Sequence, residues 1–419
     1  MLSETALGIS GSFADNHYLE PLWRFEEGAE TLAQQIRQLD FLPASAEADH
    51  GYMPRTVEHF HPDRIILAKG CRGNNARVAF VEAICRAYPA AEVIERPATS
   101  HAQIDLGIGE PLPRHRCGKR TLVLGEHKSP VRFSEERSNC CPNYWHFSPY
   151  GFCPYGCDYC YLAGTRSVWF SPTVKIFLNL DEMLVRIDTI ANRAGSPTAF
   201  YLGKLQDGLA LDGLTGYSRR LVSFFGQHRW ARLVLLTKSA DVVNLAGLQP
   251  HGNVILSWSL SSEAAWRQFE PGTPSPAERL DAMRRCANAG YRIRAVLMPI
   301  VPTGEWRAEY VGLLDELLTI AALERITLGS LCSFPSALQL TDAKLGRANP
   351  IRECLSGGGQ SVDGRYRFDS SRRLDAYRYL LKQIQIRLPS MPVGLCLEER
   401  PVFEALGLTD QIGICNCVL

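Results

Sequence analysis

Apolar runs alternate with amphipathic stretches between residues 174 and 328, and this alternation constrains the fold more than any other feature. The runs predicted to be strands are residues 174–178, 199–203, 232–237, 253–259, 292–299 and 325–328. Helical spacing of apolar residues between them predicts helices over 180–193, 218–227, 275–289 and 306–318. Strands separated by helices pair in parallel through right-handed crossovers. The pattern therefore predicts an α/β fold, a partial (β/α)6 barrel of TIM type, with its active site at the carboxyl ends of the strands.

The remaining sequence divides into segments around this barrel. Residues 1–59 are predicted to be an irregular N-terminal extension, 60–125 a small α/β domain, 126–390 the barrel and 391–419 a cysteine-bearing C-terminal tail. In the small domain, strands are expected at 64–68, 92–95 and 121–125, with a helix at 76–88. Residues 129–149, rich in Pro, Ser and Asn, are expected to be a long approach to the loop at 153–160, 340–365 a loop and 371–386 a basic helix. Gly290 is expected to end its helix in a left-handed conformation.

The composition is that of an ordinary globular protein, with 46% hydrophobic and 21% charged residues. The net charge of +1 excludes a global basic field for nucleic acid, although a local patch is compatible with it. Fourteen scattered cysteines and no recognisable signal peptide predict free thiols and metal ligands in a cytoplasmic protein. No apolar run approaches eighteen residues, so no membrane contact is expected. Nothing in the composition demands an oligomer, and we expect a monomer.

Cys153, Cys157 and Cys160 form a CxxxCxxC loop with Tyr159 before the last cysteine. Iron–sulfur cubanes are normally held by four cysteines. A loop that supplies three leaves one iron open to a ligand from outside the protein. The alternative is a structural zinc loop, but zinc sites usually add a second CxxC or a histidine pair nearby. Neither follows within the next forty or so residues.

The spacing of this loop resembles that of the radical S-adenosylmethionine (SAM) enzymes. The resemblance implies a 4Fe-4S cluster on the three cysteines, with SAM bound to the open iron. One electron, from a reductant such as flavodoxin or ferredoxin, would then cleave SAM to methionine and a 5′-deoxyadenosyl radical. That radical would abstract a hydrogen atom from the substrate, and the protein would position the reactants.

Further segments in the same order resemble the spore photoproduct lyase family, which reverses a thymine dimer lesion in DNA. They are Thr99-Ser100-His101, Arg120-Thr121-Leu122-Val123-Leu124-Gly125, Tyr159-Cys160-Tyr161-Leu162, Thr237-Lys238, Trp258-Ser259-Leu260-Ser261-Ser262, Phe269-Glu270-Pro271-Gly272-Thr273 and Met298-Pro299-Ile300. The resemblance spans roughly residues 90–385 and implies a carbon–carbon lyase-like enzyme with a DNA or nucleotide substrate.

The same resemblance suggests roles for individual residues. Lys238 and Ser259 match SAM-binding positions, and Tyr159 could face the adenine of SAM. Tyr161 matches a tyrosine that passes the radical, although a packing role is an equal alternative. We also expect Gly203 and Lys204 to bind the cofactor. Asp207 and Asp212 match acidic positions of the family, or simply cap a turn and the following helix.

Two departures from the family pattern leave the substrate open. Lys204 stands where the family has the cysteine that donates a hydrogen atom to the product radical, and a lysine N–H bond is too strong for that role. Another thiol could replace it, and Cys415 and Cys417 in the tail are the candidates. These two could instead ligate a second metal with Cys140, Cys141 or Cys396, or be ordinary thiols on a frayed terminus.

The alternatives for function follow from the same departures. The protein could be a family member recruited to another nucleotide, a peptide or a natural-product precursor, or a non-catalytic metal module that senses redox state. Arg365-Tyr366-Arg367-Phe368, Arg372 and Arg373 could contact DNA, with a solvated helix face as the equal alternative.

Overall fold

The computed structural model describes residues 52–135 and 139–419. The expected N-terminal extension therefore lies almost entirely outside the described residues. The strands are β1 Arg64–Leu67, β2 Glu92–Glu95, β3 Thr121–Gly125, β4 Val131–Ser134, β5 Tyr144–Phe147, β6 Tyr150–Gly151, β7 Val174–Phe177, β8 Thr198–Leu202, β9 Ala231–Thr237, β10 Val254–Leu260, β11 Arg292–Ile300, β12 Leu323–Ser330, β13 Cys332–Ser333, β14 Tyr366–Arg367 and β15 Val393–Leu395.

The helices include those predicted near 76–88, 180–193, 218–227, 275–289, 306–318 and 371–386, and others that were not predicted. They are α1 Asn75–Ala87, α2 Pro111–Lys119, α3 Arg166–Phe170, α4 Leu180–Ala194, α5 Asp212–Thr215, α6 Tyr217–Gln227, α7 Glu263–Phe269, α8 Pro276–Asn288, α9 Trp306–Leu317, α10 Pro335–Leu345, α11 Pro350–Leu355, α12 Ser370–Arg387 and α13 Arg400–Ala405. Ser275 caps α8 through a reciprocal capping box with Glu278. Gly290 follows that helix with φ of 86°, as expected. No helix of the described segments is long and apolar enough to span a membrane.

The main sheet has eight strands in the order β15-β12-β11-β10-β9-β8-β5-β4. Its neighbouring strands are parallel except for β4, which is antiparallel to β5. Parallel strands joined by helices confirm the partial α/β barrel. Their carboxyl ends meet along one edge, where the residues after each strand can face a common ligand.

The first strand of this barrel differs from the prediction. The strand expected at 174–178 forms as β7, but it pairs with β3 in a separate five-stranded sheet of order β2-β1-β3-β7-β6. Its predicted place beside β8 is taken by β5, with Trp145 opposite Phe200. The approach at 129–149 contains two strands that were not predicted, β4 and β5. Polar and proline-rich flanks hid a short aromatic strand whose Tyr144, His146 and Phe147 are buried.

Two further segments are more ordered than predicted. The expected loop at 340–365 contains the end of α10 and the whole of α11. Asn349 caps α11 by accepting a hydrogen bond from the Arg352 backbone N–H at 2.8 Å, and Pro350 occupies its first position. In the expected tail, β15 pairs with β12 and extends the main sheet.

Two arginines of the main sheet also bind the segment after β15. Arg294 is fully buried and donates a hydrogen bond to the carbonyl of Asn416 at 3.1 Å. Arg325 donates to the carbonyl of Cys415 at 2.6 Å. A buried guanidinium group needs hydrogen-bond acceptors, and the carbonyls of the C-terminal segment supply them. This segment is therefore fixed to the main sheet.

Candidate active site

A cavity lies at the carboxyl ends of the main-sheet strands and is walled on one side by the cysteine loop. The strands contribute the residues that follow β8 and β9, the ends of β10 and β11, and the residues that follow β12. The lining residues are Cys153, Tyr155, Cys157, Tyr159, Cys160, Tyr161, Leu162, Gly203, Lys204, Gln206, Asp207, Leu236, Thr237, Lys238, Ser259, Val296, Met298, Pro299, Leu331 and Cys332. The cavity thus brings together every residue predicted to bind metal or cofactor, together with Tyr161.

Lys119, at the end of α2, holds the cysteine loop from behind. Its Nζ donates hydrogen bonds to the carbonyls of Cys153 at 2.5 Å and Tyr155 at 2.6 Å. The same atom lies 3.8 Å from the centre of the Phe152 ring. Loss of solvation lowers the pKa of Lys119, while the neighbouring cysteine thiols oppose that change. Sequence reasoning missed this residue, because nothing in its position before β3 signals contact with a loop more than thirty residues later.

The other side of the loop is tied to the segment after α7 and to α10. The Asp158 backbone N–H donates to the Phe269 carbonyl at 2.8 Å, and that of Gly156 to the Pro271 carbonyl at 3.1 Å. Lys344 forms an ion pair with the Asp158 carboxylate at 3.1 Å. The loop is therefore fixed at both ends by protein contacts that leave its cysteines on the cavity wall.

The three cysteines suit a cluster better than a single ion. The thiols of Cys153, Cys157 and Cys160 are close enough to influence one another's ionisation. Yet, within the described ranges, no group of three or more His, Cys, Asp or Glu side chains is arranged to hold a metal ion. In a cubane each cysteine binds a different iron, so the sulfurs do not have to converge on one point. Three thiols on one cavity wall fit that requirement, and a cluster bound by them would have one iron without a protein ligand.

Glu270 lies at the centre of a buried charge cluster that sequence reasoning missed. Its Oε1 accepts hydrogen bonds from Lys238 Nζ at 2.8 Å and from Ser261 Oγ at 2.8 Å, and the Tyr159 hydroxyl also donates to it. Its Oε2 accepts a hydrogen bond from the fully buried Arg279. Burial opposes ionisation of Glu270, but the Lys238 and Arg279 cations outweigh it and hold the pKa of this carboxyl well below its usual range. In the sequence, Glu270 was noted only as part of the Phe269–Thr273 run.

This cluster determines what Lys238 contacts. Besides Glu270, its Nζ lies 2.9 Å from the hydroxyl oxygen of Tyr159. Lys238 therefore links the end of β9 to the cysteine loop, and its predicted contact with SAM stays a prediction. Ser259 also lines the cavity, and its hydroxyl donates to the Met298 carbonyl at 3.0 Å.

Asp207 and Asp212 both use their carboxylates to shape the backbone. Asp207 accepts hydrogen bonds from Thr237 Oγ1 at 2.6 Å and from the Lys238 backbone N–H at 2.6 Å. Asp212 accepts hydrogen bonds from the backbone N–H of Ser218 at 2.8 Å and from its hydroxyl at 2.6 Å, in the first turn of α6. Asp207 therefore fixes a turn, and Asp212 caps a helix. Asp207 also lines the cavity.

Lys204 connects β8 to the β4–β5 hairpin. Its Nζ donates a hydrogen bond to Ser134 Oγ and lies 5.1 Å from the centre of the Tyr144 ring. Gly203, just before it, has no room for a side chain, since an added Cβ would lie 2.7 Å from the Leu236 Cβ. At this point the cavity has an ammonium group where the family pattern has a thiol.

Tyr161 is held against the segment between β12 and α12. Its ring packs edge-on against Phe334 with centroids 6.2 Å apart, and the Arg365 guanidinium lies 5.3 Å from its ring centre. Burial raises the pKa of the Tyr161 phenol, which is therefore neutral at ordinary pH. Arg365 also forms an ion pair with Asp363 at 2.8 Å.

The arginines considered for DNA contact have internal partners instead. Arg367 is buried and donates to the Leu397 carbonyl at 2.7 Å, and Arg373 pairs with the buried Glu398 at 3.4 Å. With Arg365 on Tyr161, only Arg372 of this set is an exposed side chain. Arg365, Arg367 and Arg373 thus have internal partners in this structure, and contact of this segment with DNA stays a prediction.

The tail thiols Cys415 and Cys417 are not among the residues that line the cavity. Cys415 is 1% exposed, and its Sγ is 3.9 Å from that of Cys417. Hydrogen bonds from Cys141, Cys396 and Cys417 lower the pKa of Cys415. The alternative of thiols on a frayed terminus is wrong for Cys415, and the structure gives neither Cys415 nor Cys417 the access to the cavity that the hydrogen-donor prediction requires.

Cys332 lines the cavity although sequence reasoning overlooked it. It is 2% exposed and opens β13, directly after β12 and Leu331, with Arg367 opposite it in β14. The available signal was its position just past the carboxyl end of a predicted barrel strand, where functional residues of such barrels occur.

Comparison with known proteins agrees with this geometry. The spore photoproduct lyase family model matches residues 72–328. A spore photoproduct lyase from Geobacillus is 32% identical over 225 residues, which are 53% of this chain and 64% of that protein. The enzyme from Bacillus subtilis is 29% identical over 225 residues, with the same shares. The chain thus spans less than two thirds of the length of these relatives.

Solved structures show the same fold. A spore photoproduct lyase complexed with dinucleoside spore photoproduct superposes with a TM-score of 0.70 at 22% identity, covering 81% of this chain and all of that one. A double mutant with bound AdoMet and dinucleoside spore photoproduct gives a TM-score of 0.69 at 22% identity, covering 80% of this chain and 99% of that one. Since the family model matches more than half of the residues, the chain belongs to the spore photoproduct lyase family.

Proposed function

We propose that this protein is a radical SAM enzyme that repairs a thymine-dimer lesion of the spore photoproduct type. The observation that carries the proposal is the single cavity that gathers three loop cysteines, Tyr161 and the ends of the parallel strands. Cys153, Cys157 and Cys160 would hold the 4Fe-4S cluster, and SAM would bind its open iron. When bound, this pair supplies the 5′-deoxyadenosyl radical, which is the hard step of the chemistry.

The residues of the chain would bind and orient the reactants. Ser259, Gly203 and Lys204 lie on the strand-end wall of the cavity and would offer SAM a hydroxyl, a close backbone approach and a cation. Lys238 and Tyr159 would position the amino-acid and adenine portions of SAM, with Glu270 fixing both side chains. The apolar wall of Leu236, Val296, Met298 and Leu331 would exclude water from the reactive carbon.

The substrate proposal rests on the relatives. Two solved spore photoproduct lyases hold dinucleoside spore photoproduct, and we extend a dinucleotide lesion to this chain. We also propose a cytoplasmic monomer that receives electrons from a flavodoxin or ferredoxin.

Anaerobic reconstitution tests the proposal. The protein should bind about four irons per chain, release 5′-deoxyadenosine with dithionite and SAM, and convert dinucleoside spore photoproduct to thymidine units. Cys157→Ala should lose all three properties. Cys286→Ala is the matched control, because Cys286 is a buried core thiol of α8 outside the cavity.

The outcomes separate the alternatives. Fewer than about three irons and no 5′-deoxyadenosine would overturn the enzyme proposal and favour a non-catalytic redox module. Formation of 5′-deoxyadenosine without lesion turnover would favour an enzyme recruited to another substrate. Lys204 supports this second candidate, because its ammonium group and its bond to Ser134 change the cavity wall at the family's hydrogen-donor position.

A further inference from the structure

The cavity contains a thiol that is not needed for the cluster. Among the cysteines of residues 52–135 and 139–419, Cys332 alone lines the cavity in addition to the three loop cysteines. It lies after β12, whereas Lys204 lies after β8. Three strands separate these two positions in the sheet, so Cys332 faces the cavity from a different side.

Cys332 also has a partner of the right chemistry. Tyr161 lines the same cavity. Strand β13, which carries Cys332, packs against the turn Tyr161–Gly164. A thiol and a phenol thus share one wall of the cavity.

We propose that Cys332 donates the hydrogen atom that quenches the product radical, in place of the thiol that Lys204 has replaced. This inference rests on the proposed function. The S–H bond is weaker than the C–H bond that forms, so transfer to a carbon radical is downhill, whereas transfer from the Lys204 N–H is not. The product carbon gains the hydrogen atom, and Cys332 becomes a thiyl radical.

The Cys332 thiol is then regenerated by a neighbouring residue on the same wall of the cavity. Tyr161 gives the hydrogen atom of its O–H to the thiyl sulfur and becomes a tyrosyl radical. One electron from the flavodoxin or ferredoxin class of reductant and one proton from solvent return Tyr161 to the phenol. Each step moves one hydrogen atom, or one electron with one proton, so atoms and electrons balance.

The protonation of the tail and cavity thiols agrees with this assignment. A hydrogen-atom donor must carry its proton, and burial raises the pKa of Cys332 to about 11. Cys415 has the opposite environment, because its sulfur neighbours lower its pKa. Cys415 does not line the cavity, and its thiol therefore more readily loses the proton that a hydrogen-atom donor must carry.

Deuterium transfer tests the proposal in the reconstituted holoenzyme. Thiol hydrogens exchange with D2O, so the repaired product made in D2O should carry one deuterium on the quenched carbon. Cys332→Ser, which nearly preserves the volume but has a strong O–H bond, should still make 5′-deoxyadenosine and consume the lesion, yet lose the deuterated product. Cys332→Ala should behave in the same way, and Cys286→Ala should match the wild type. Deuterium incorporation that persists in both Cys332 variants would overturn the proposal.

A labelling experiment does not depend on turnover. Methyl methanethiosulfonate should modify Cys332 in the anaerobic holoenzyme, and SAM with dinucleoside spore photoproduct should slow that modification, as read by peptide mass spectrometry. Cys286 should show no such change. Equal labelling of Cys332 with and without these ligands would overturn the proposal. Wild-type protein that makes 5′-deoxyadenosine but does not consume the lesion would instead contradict the proposed substrate.

Discussion

Replacing Glu270 by glutamine should destabilise the protein because it leaves two cations without their shared counter-charge. The side chains of Glu270 and Arg279 are 0% exposed and that of Lys238 is 14% exposed. Removing one partner of a buried ion pair costs about 3–5 kcal/mol. Glutamine keeps the shape and one acceptor oxygen, so the loss comes mainly from charge, and we expect the free energy of unfolding to fall by about 3 kcal/mol.

The effect should depend on pH in a defined direction. The pKa of Glu270 is lower in the folded protein than the value of about 4.3 for an unfolded glutamate. Its stabilising contribution is therefore complete above about pH 5 and declines as pH falls below about 4. Because Glu270→Gln cannot titrate, the difference in stability between wild type and variant should narrow over that acid range.

Urea unfolding followed by circular dichroism measures both effects. Glu316→Gln is the matched control, because Glu316 forms an exposed ion pair with Arg284 at 3.2 Å and should cost less than about 1 kcal/mol. A loss below about 1 kcal/mol for Glu270→Gln at pH 7 would refute the reasoning. So would a difference between wild type and Glu270→Gln that widens toward pH 3.

Three further predictions follow from other contacts. Lys119→Met should lower the iron retained per chain after gel filtration, because the carbonyls of Cys153 and Tyr155 lose their shared donor; unchanged retention would contradict a role in holding the loop. Lys204→Cys in the Cys332→Ser background should restore deuterium to the product, since it returns a thiol to the cavity wall; no recovery would mean that position 204 does not reach the product radical. Gly394→Ala should destabilise the protein by about 1–3 kcal/mol in urea unfolding, because the added Cβ would lie 2.2 Å from the Ile414 carbonyl oxygen, whereas Gly312→Ala, in open space on α9, should not; equal unfolding midpoints for these two variants would contradict the packing of this segment.

The barrel could be predicted because its signals are local. Strands β8 to β12 each carry a buried apolar run, and the helices between them repeat with helical spacing. The place of β7 could not be predicted in this way, since a buried run of four residues does not say which sheet it joins. That choice was made by β3, whose Leu122 lies opposite Val174.

The residues of the candidate site could likewise be predicted only where their sequence signal is local. Cys153, Cys157 and Cys160 are adjacent in sequence, so their spacing alone indicated a cluster. Glu270 was seen only as part of a short run, since its partners Lys238 and Arg279 come from two other elements. Cys332 was hidden for a similar reason, because a lone cysteine after a strand has no spacing to read.

The late position of Asn416 and Cys415 has a consequence for how the enzyme is made. The Asn416 and Cys415 carbonyls, which accept hydrogen bonds from Arg294 and Arg325, emerge about 250 residues after the loop cysteines. At about 5–20 residues per second, synthesis of that stretch takes roughly 13–50 s. During this time the main sheet still lacks its edge strand β15. The proposed cluster would therefore meet a complete main sheet only after nearly the whole chain has been synthesised.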